Sequence, residues 1–273
     1  MTQAFGYKRD LTQGETDLNV KELLKVAPTR LAIGDVDLRP FCTETHQANL
    51  SACAGNATAD AVEIVSNIEE SFRAEVEGRE ARPVPQLSRL FVYAMARTLD
   101  GTLGEDEGTY IRSCFEVLTR FGIPEESVWP YEENKVFVSP SMLAQRAALG
   151  HKIHSYYRIT SNGEERINDI VAALRAMKPV VFGTLIDHPF MDFSGPWTVD
   201  TPKGATAGGH AMIVVGYIDG KFLVKNSWGS GWRQGGYAFF TPEYMAWDET
   251  WDLWVPTKEF ALPFLISALT SPP

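Results

Sequence analysis

Three observations predict an α+β fold in two lobes. The first half of the 273-residue chain carries apolar residues at helical spacing. The second half carries short runs rich in β-branched and aromatic residues, several separated by turns such as Asp219-Gly220. A composition of 44% hydrophobic and 22% charged residues supplies a core for one large domain or two small lobes. The expected divisions are an N-terminal extension (1–34), a mainly helical lobe (35–145), a β-rich lobe (146–256) and a C-terminal tail (257–273).

Residues 1–34 are polar, with one amphipathic patch at Leu18, Val20, Leu23, Leu24 and Val26. That patch predicts a short helix lying on the body, against the alternative of a poorly ordered arm. Pro40 discourages helix in the leading segment Val36 to Phe41. From Cys53 the residues are small, then apolar at Ala57, Ala61, Ile64, Val65 and Ile68, which is helical spacing. Cys53 therefore falls at or near a helix N-terminus, and Ala54 and Gly55 imply close packing against its first turn. A loop rich in Pro and charge leads to a helix capped by Ser88 and stopped at Gly101. After the acidic glycine loop Thr102 to Gly108, another helix ends at Gly122. In the second half Glu165 to Met177 reads as a helix. The runs PVVFGTLI, HAMIVVGYI, KFLVKNSW, GGYAFFT and WDLWV read as strands of an antiparallel, barrel-like sheet.

The net charge is −10 and the pI about 5.0, with no basic run, so nucleic acid is not an expected partner. The longest apolar runs are far too short to span a bilayer. The N-terminus lacks the apolar core of a secretory signal, so a cytoplasmic location, or export by another route, is expected. Three cysteines, Cys42, Cys53 and Cys114, do not make a disulfide framework, and a Cys42–Cys114 pair is left open. No cysteine lies in a CxxC or a zinc-like cluster, so neither a metal nor another cofactor is expected.

The chemistry concentrates in residues 207–240. His210 opens one apolar run and Asn226 closes the next, so a hairpin brings them together as an oriented base. Such a base needs a nucleophile. Cys53, at a helix N-terminus, is the candidate, because helix dipole and imidazolium both lower a thiol pKa. Gln47 could form an oxyanion hole with the Cys53 backbone N–H. Each residue alone has a blander reading: a buried thiol, a strand-edge histidine, a turn asparagine, a surface amide. Together they are the parts that acyl transfer needs.

These stretches resemble those of papain-like cysteine peptidases, in particular the compact bacterial members. DLRPFCTETHQANLSAC resembles the segment with the oxyanion glutamine, at Gln47, and the nucleophile, at Cys53. LGEDEGTYIRSCFEVLTRFGI resembles the glycine loop of one cleft wall, with Gly108 on the glycine that pairs with substrate backbone. GGHAMIVVGY places the catalytic histidine at His210, and KNSWGSGWRQGGYAFF the asparagine at Asn226 with its shielding tryptophan at Trp228. Gly209, Ala211 and Trp228 join Gly108 as expected substrate-groove residues. The sequence departs from the family at Ala54 and Gly55, which remove bulk beside the nucleophile, and at Leu50, where many secreted members have a disulfide cysteine.

The resemblance implies a two-lobed papain-like fold with the cleft between lobes, and hydrolysis of peptide bonds through a covalent acyl-enzyme. Its expected partners are a peptide or protein substrate and the chain's own N-terminal segment as an autoinhibitor. Two alternatives are a different acyl transfer on the same apparatus, such as deamidation or transpeptidation, and a non-catalytic binding protein on this fold. If the acidic loop Glu105 to Glu107 lined the cleft, it would favour basic groups on the substrate.

Overall fold

The computed structural model describes residues 5–12, 17–26 and 34–258. In chain order its elements are β1 (Tyr7–Lys8), α1 (Val20–Val26), β2 (Val36–Asp37), α2 (Cys53–Glu77), α3 (Arg89–Asp100), β3 (Thr109–Tyr110), α4 (Ile111–Arg120), α5 (Met142–Ala148), β4 (Ser155–Ile159), α6 (Gly163–Arg175), β5 (Val180–Asp187), β6 (Thr198–Val199), β7 (Thr206–Ile218), β8 (Lys221–Lys225), β9 (Tyr237–Phe240), α7 (Pro242–Ala246) and β10 (Thr250–Thr257). The fold is α+β, with helices α2 to α5 ahead of one large sheet.

Helix α2 is the axis of the molecule. Every residue from Cys53 to Ser66 is buried, because small and apolar side chains surround the helix on all faces. Two of its buried hydroxyls are satisfied within the helix: Thr58 Oγ1 donates to Ala54 O (2.8 Å) and Ser66 Oγ to Val62 O (2.7 Å). The close packing expected at Gly55 is supplied by α3, since a Cβ there would lie 2.9 Å from Tyr93 Cβ. Ser88 caps α3, accepting from Phe91 N–H, and Gly101 ends it at φ 74°.

The sheet has eight strands in the order β4-β10-β5-β7-β8-β9-β6, with β2 added on β7. It is antiparallel apart from the β6–β9 pair. Asp219 (φ 49°) and Gly220 (φ 75°) form the tight turn between β7 and β8. The two lobes are not cut at one point of the chain. β2, read as part of the helical half, pairs with β7 across Val36↔Tyr217. Helices α5 and α7 were not foreseen; each is a short segment with too few periodic apolar positions to signal itself. The expected tail begins inside β10, whose last residue is Thr257, and residues 259–273 lie outside the described residues.

Candidate active site

Cys53 is the first residue of α2 and is fully buried. His210 lies on β7 and Asn226 just beyond β8, neighbouring strands of the sheet. His210 Nε2 and Asn226 Oδ1 are 2.8 Å apart. Asn226 Oδ1 also accepts from Ser227 N–H (2.8 Å), which holds the amide with its oxygen toward the ring. The other ring nitrogen, Nδ1, is buried without a hydrogen-bond partner among the described residues. The backbone N–H of Ala211, next to His210, is aimed at the Cys53 sulfur. The fold thus brings His210, Asn226 and the Cys53 thiol to one place.

An aromatic wall surrounds the imidazole. Trp228 lies with its ring centroid 4.8 Å from His210, and Phe190 packs edge-on at 6.2 Å. Trp232 and Phe193 back Trp228 from behind. Phe190 carried no signal in the sequence, since nothing local ties it to His210. Gln47 is buried and tied to the Asn226 side: its N–H donates to Ser227 O (2.8 Å) and Ser227 Oγ to its Oε1 (2.7 Å). Its Nε2 donates to Leu50 O (2.9 Å), within the loop that leads into α2. Asp106, from the acidic loop, accepts from Ser51 N–H (3.1 Å) and Tyr93 Oη (2.6 Å), so it braces the nucleophile loop.

The N-terminal segment lies across this centre. β1 pairs in parallel with β3, and Thr109 N–H donates to Gly6 O (2.9 Å). Gly108 has φ 84°, and a Cβ there would meet Gly6 O at 2.0 Å. A Cβ on Gly209 would meet Tyr7 O at 2.9 Å. The backbone N–H of Gly6 faces the Cys53 sulfur. Residues read as groove-lining, Gly108 and Gly209, therefore both touch the chain's own arm. Farther out, Arg112 pairs with Asp10 and Asp17, and Arg9 lies 3.8 Å over the Trp251 ring.

Burial sets the electrostatics of the centre. Burial pushes the Cys53 thiol up to about 11, although the N–H groups of Ala211, Gly6 and Ala54 act against it. Burial lowers His210 to about 4, opposed by its bond to Asn226. With the arm in place, the two groups rest as a thiol and a neutral imidazole. Cys42 and Cys114 are free thiols, so the pair left open in the sequence does not form. No group of His, Cys, Asp and Glu that could hold a metal occurs among the described residues.

Sequence reasoning also missed a buried charge cluster beneath the centre. Arg89 pairs with Asp60 (2.7 Å) and Glu63 (2.9 Å), and Lys225 pairs with Asp60. All four are at most 4% exposed. The signal was present: carboxylates inside the apolar run of α2, and a lysine ending the apolar strand β8, need partners when buried.

A family model described as papain family cysteine protease matches residues 100–245, just over half of the chain. That span includes His210 and Asn226 and leaves out Cys53 and Gln47. An uncharacterized peptidase C1-like protein of Acanthamoeba polyphaga mimivirus is 31% identical, over 93% of this chain and 87% of that protein. A cathepsin L-like proteinase of Fasciola hepatica is 29% identical over 48% of this chain and 39% of its own length. Among solved structures, the cysteine protease xylellain of Xylella fastidiosa matches with a TM-score of 0.77 and 26% identity, covering 94% of this chain and 97% of that one. A digestive procathepsin L2 of Tenebrio molitor larval midgut shares the fold, with a TM-score of 0.69 at 20% identity, over 93% of this chain and 78% of its own. The lobed α+β architecture and these matches agree, and the chain belongs to the papain family of cysteine peptidases.

Proposed function

We propose that the protein is an endopeptidase that cleaves peptide bonds through a Cys53–His210–Asn226 acyl-enzyme cycle. The Cys53 thiolate attacks the substrate carbonyl carbon, and the resulting oxyanion is held by Gln47 and the Cys53 N–H. Protonated His210 gives its proton to the leaving amine, so the C–N bond breaks and a thioester forms. Neutral His210 then takes a proton from water, whose oxygen displaces the thiolate and releases the acid. Asn226 holds the imidazole in register, and Trp228 keeps water from that hydrogen bond.

The observation that carries this reading is the bond from His210 Nε2 to Asn226, with Nδ1 unpartnered and the neighbouring Ala211 N–H on the Cys53 sulfur. The arm is read as a self-inhibitor. It places the Gly6 amide N–H at the sulfur, and its backbone meets Gly108 and Gly209, where a substrate would lie. The test is labelling with an epoxysuccinyl inhibitor followed by mass mapping. Modification at Cys53, abolished by His210→Ala, supports the reading. Modification that ignores His210, or falls on Cys42 or Cys114, counts against it. The arm's role is checked by comparing the full chain with one starting at Gly34, whose turnover should be higher.

A further inference from the structure

We propose that Arg233 is a positioning residue for His210: it holds the loop 188–197 in place, and that loop presses an aromatic wall against the imidazole. The inference rests on the peptidase reading above and adds a residue to it. The loop runs from the end of β5 to β6 and carries Phe190 and Phe193. Phe190 is buried, with its ring centroid 6.2 Å from that of His210 and 5.5 Å from that of Trp228. Phe193 stacks on Trp228 at 6.1 Å.

The loop hangs from one residue. Arg233 N–H donates to Phe193 O (2.8 Å). Its guanidinium donates to three further carbonyls: Pro189 O (3.0 Å), Phe190 O (3.2 Å) and Pro196 O (3.2 Å). A planar fork of five N–H donors can serve several carbonyls at once, which a lysine ammonium does less well. Asp187 and Asp192 accept from the loop's own Phe190 N–H and Ser194 N–H (3.0 Å each), so the carbonyls are what remains to be held. Gly195 makes the room: a Cβ there would lie 1.4 Å from Arg233 Nη1. Arg233 itself stands at φ 49°, a conformation that costs a non-glycine residue and that glycine takes freely. The chain carries that strain at the one position whose side chain ties the loop down.

What the wall protects is a single hydrogen bond. Asn226 Oδ1 faces His210 Nε2 at 2.8 Å and is an acceptor, so Nε2 carries the proton. Water reaching Nε2 would compete with Asn226 and let the ring turn. A turned ring no longer aims Nδ1 at the leaving group. The consequence is selective. Cleaving an amide requires His210 to protonate the leaving nitrogen, whereas a 4-nitrophenyl ester of the same acyl group expels nitrophenolate without a proton. Loss of Arg233 therefore harms amide turnover and spares ester turnover, while a mere loss of folded protein lowers both alike.

The experiment compares full chains carrying Arg233→Gly, Arg233→Lys, Gly195→Ala or Phe190→Ala with the parent, by kcat/KM on an amide and a 4-nitrophenyl ester of one acyl peptide. Arg233→Gly relieves the positive φ, so the chain is expected to fold, and a melting curve checks it. The amide/ester ratio should fall about ten-fold or more in Arg233→Gly and in Phe190→Ala, and by less in Arg233→Lys. Gly195→Ala displaces the guanidinium without altering it and should reproduce the fall. Combining Arg233→Gly with Phe190→Ala should lower the ratio no further than either alone. Exchange of the His210 Nε2 proton with water, followed by NMR on histidine-labelled protein, should quicken about ten-fold or more in Arg233→Gly. An amide/ester ratio within about two-fold of the parent in that variant overturns the proposal. If the parent cleaves neither substrate, the hydrolysis reading falls and the exchange rate decides: faster exchange in Arg233→Gly upholds the positioning role, and an unchanged rate removes it.

Discussion

The interface between the lobes has two ends built on opposite principles. At the cleft end, Cys53 and His210 are buried and neutral, and a short N-terminal segment lies over them. At the other end, Asp60, Glu63, Arg89 and Lys225 form a closed charge cluster with water excluded. Asp60 is two turns along α2 from Cys53, about 10 Å at the helical rise, and Lys225 directly precedes Asn226. Burial works against both carboxyls. At Asp60, Lys225 and Arg89 outweigh it and hold the group below the usual range, while at Glu63 burial prevails over Arg89 and the pKa rises. The contrast teaches a division of labour: on the proposed mechanism one end has to be uncovered for substrate, while the other ties α2 to β8, the strand that leads to Asn226.

The largest effect expected at the cleft end is Cys53→Ala, which should abolish peptide hydrolysis; a variant retaining most of the wild-type rate would remove Cys53 from the mechanism. Asn226→Ala should lower kcat by a smaller factor, because removing an orienter costs less than removing a nucleophile or base. Steady-state rates of the two variants side by side check this, and an equal or greater loss at Asn226 would break its assigned role.

Lys225→Met tests the other end. It leaves Asp60 with Arg89 as its one paired cation among the described residues, and breaking such a buried pair costs about 3–5 kcal/mol. A fall of about 10 °C in melting temperature is expected for a chain of this size. An unchanged melting temperature would show that the cluster is not a fixed weld. Arg112→Ala should act chiefly on the cover: without its pairs to Asp10 and Asp17, the arm detaches more readily and turnover of a peptide rises several-fold. No rise in rate would mean that these ion pairs do not hold the arm.

The smallest effects are in pH dependence. With the thiol pushed up to about 11, alkylation of Cys53 by iodoacetamide in the full chain should be slow at neutral pH and climb as pH rises. The Tyr7→Ala chain should react at neutral pH, and equal rates for the two would deny that the cover restrains the thiol. His210 falls from 6.5 to about 4 on burial, so between those values the unfolded chain binds a proton that the folded chain refuses. Stability should therefore decline as pH falls through that window, measurable by urea unfolding, and His210→Gln should flatten the slope.

How much of this was legible in the sequence varied with the range of the interaction. Local rules placed the helix start at Cys53, the cap at Ser88, the stop at Gly101 and the turn at Asp219-Gly220, because each depends on a few neighbouring residues. The proximity of His210 and Asn226 was readable because they lie on adjacent strands joined by a tight turn. Gly55 announced a close contact but not its partner, Tyr93 of α3. Phe190 against His210, and Lys225 against Asp60, were invisible as pairs, since no periodicity links residues so far apart.

The sequence by itself determined the residue chemistry: a thiol at a helix start, an imidazole and an amide on paired strands, and glycines where backbones approach. These follow from propensity and spacing, which are properties of short stretches. Only the tertiary structure decided what covers the centre and what meets the cover. That Gly6 N–H faces the thiol, that the Tyr7 ring lies over Gly183, and that its hydroxyl meets Asp252 depend on packing between segments far apart in the chain. Such contacts are chosen by burial and shape across the whole fold, which no local pattern encodes.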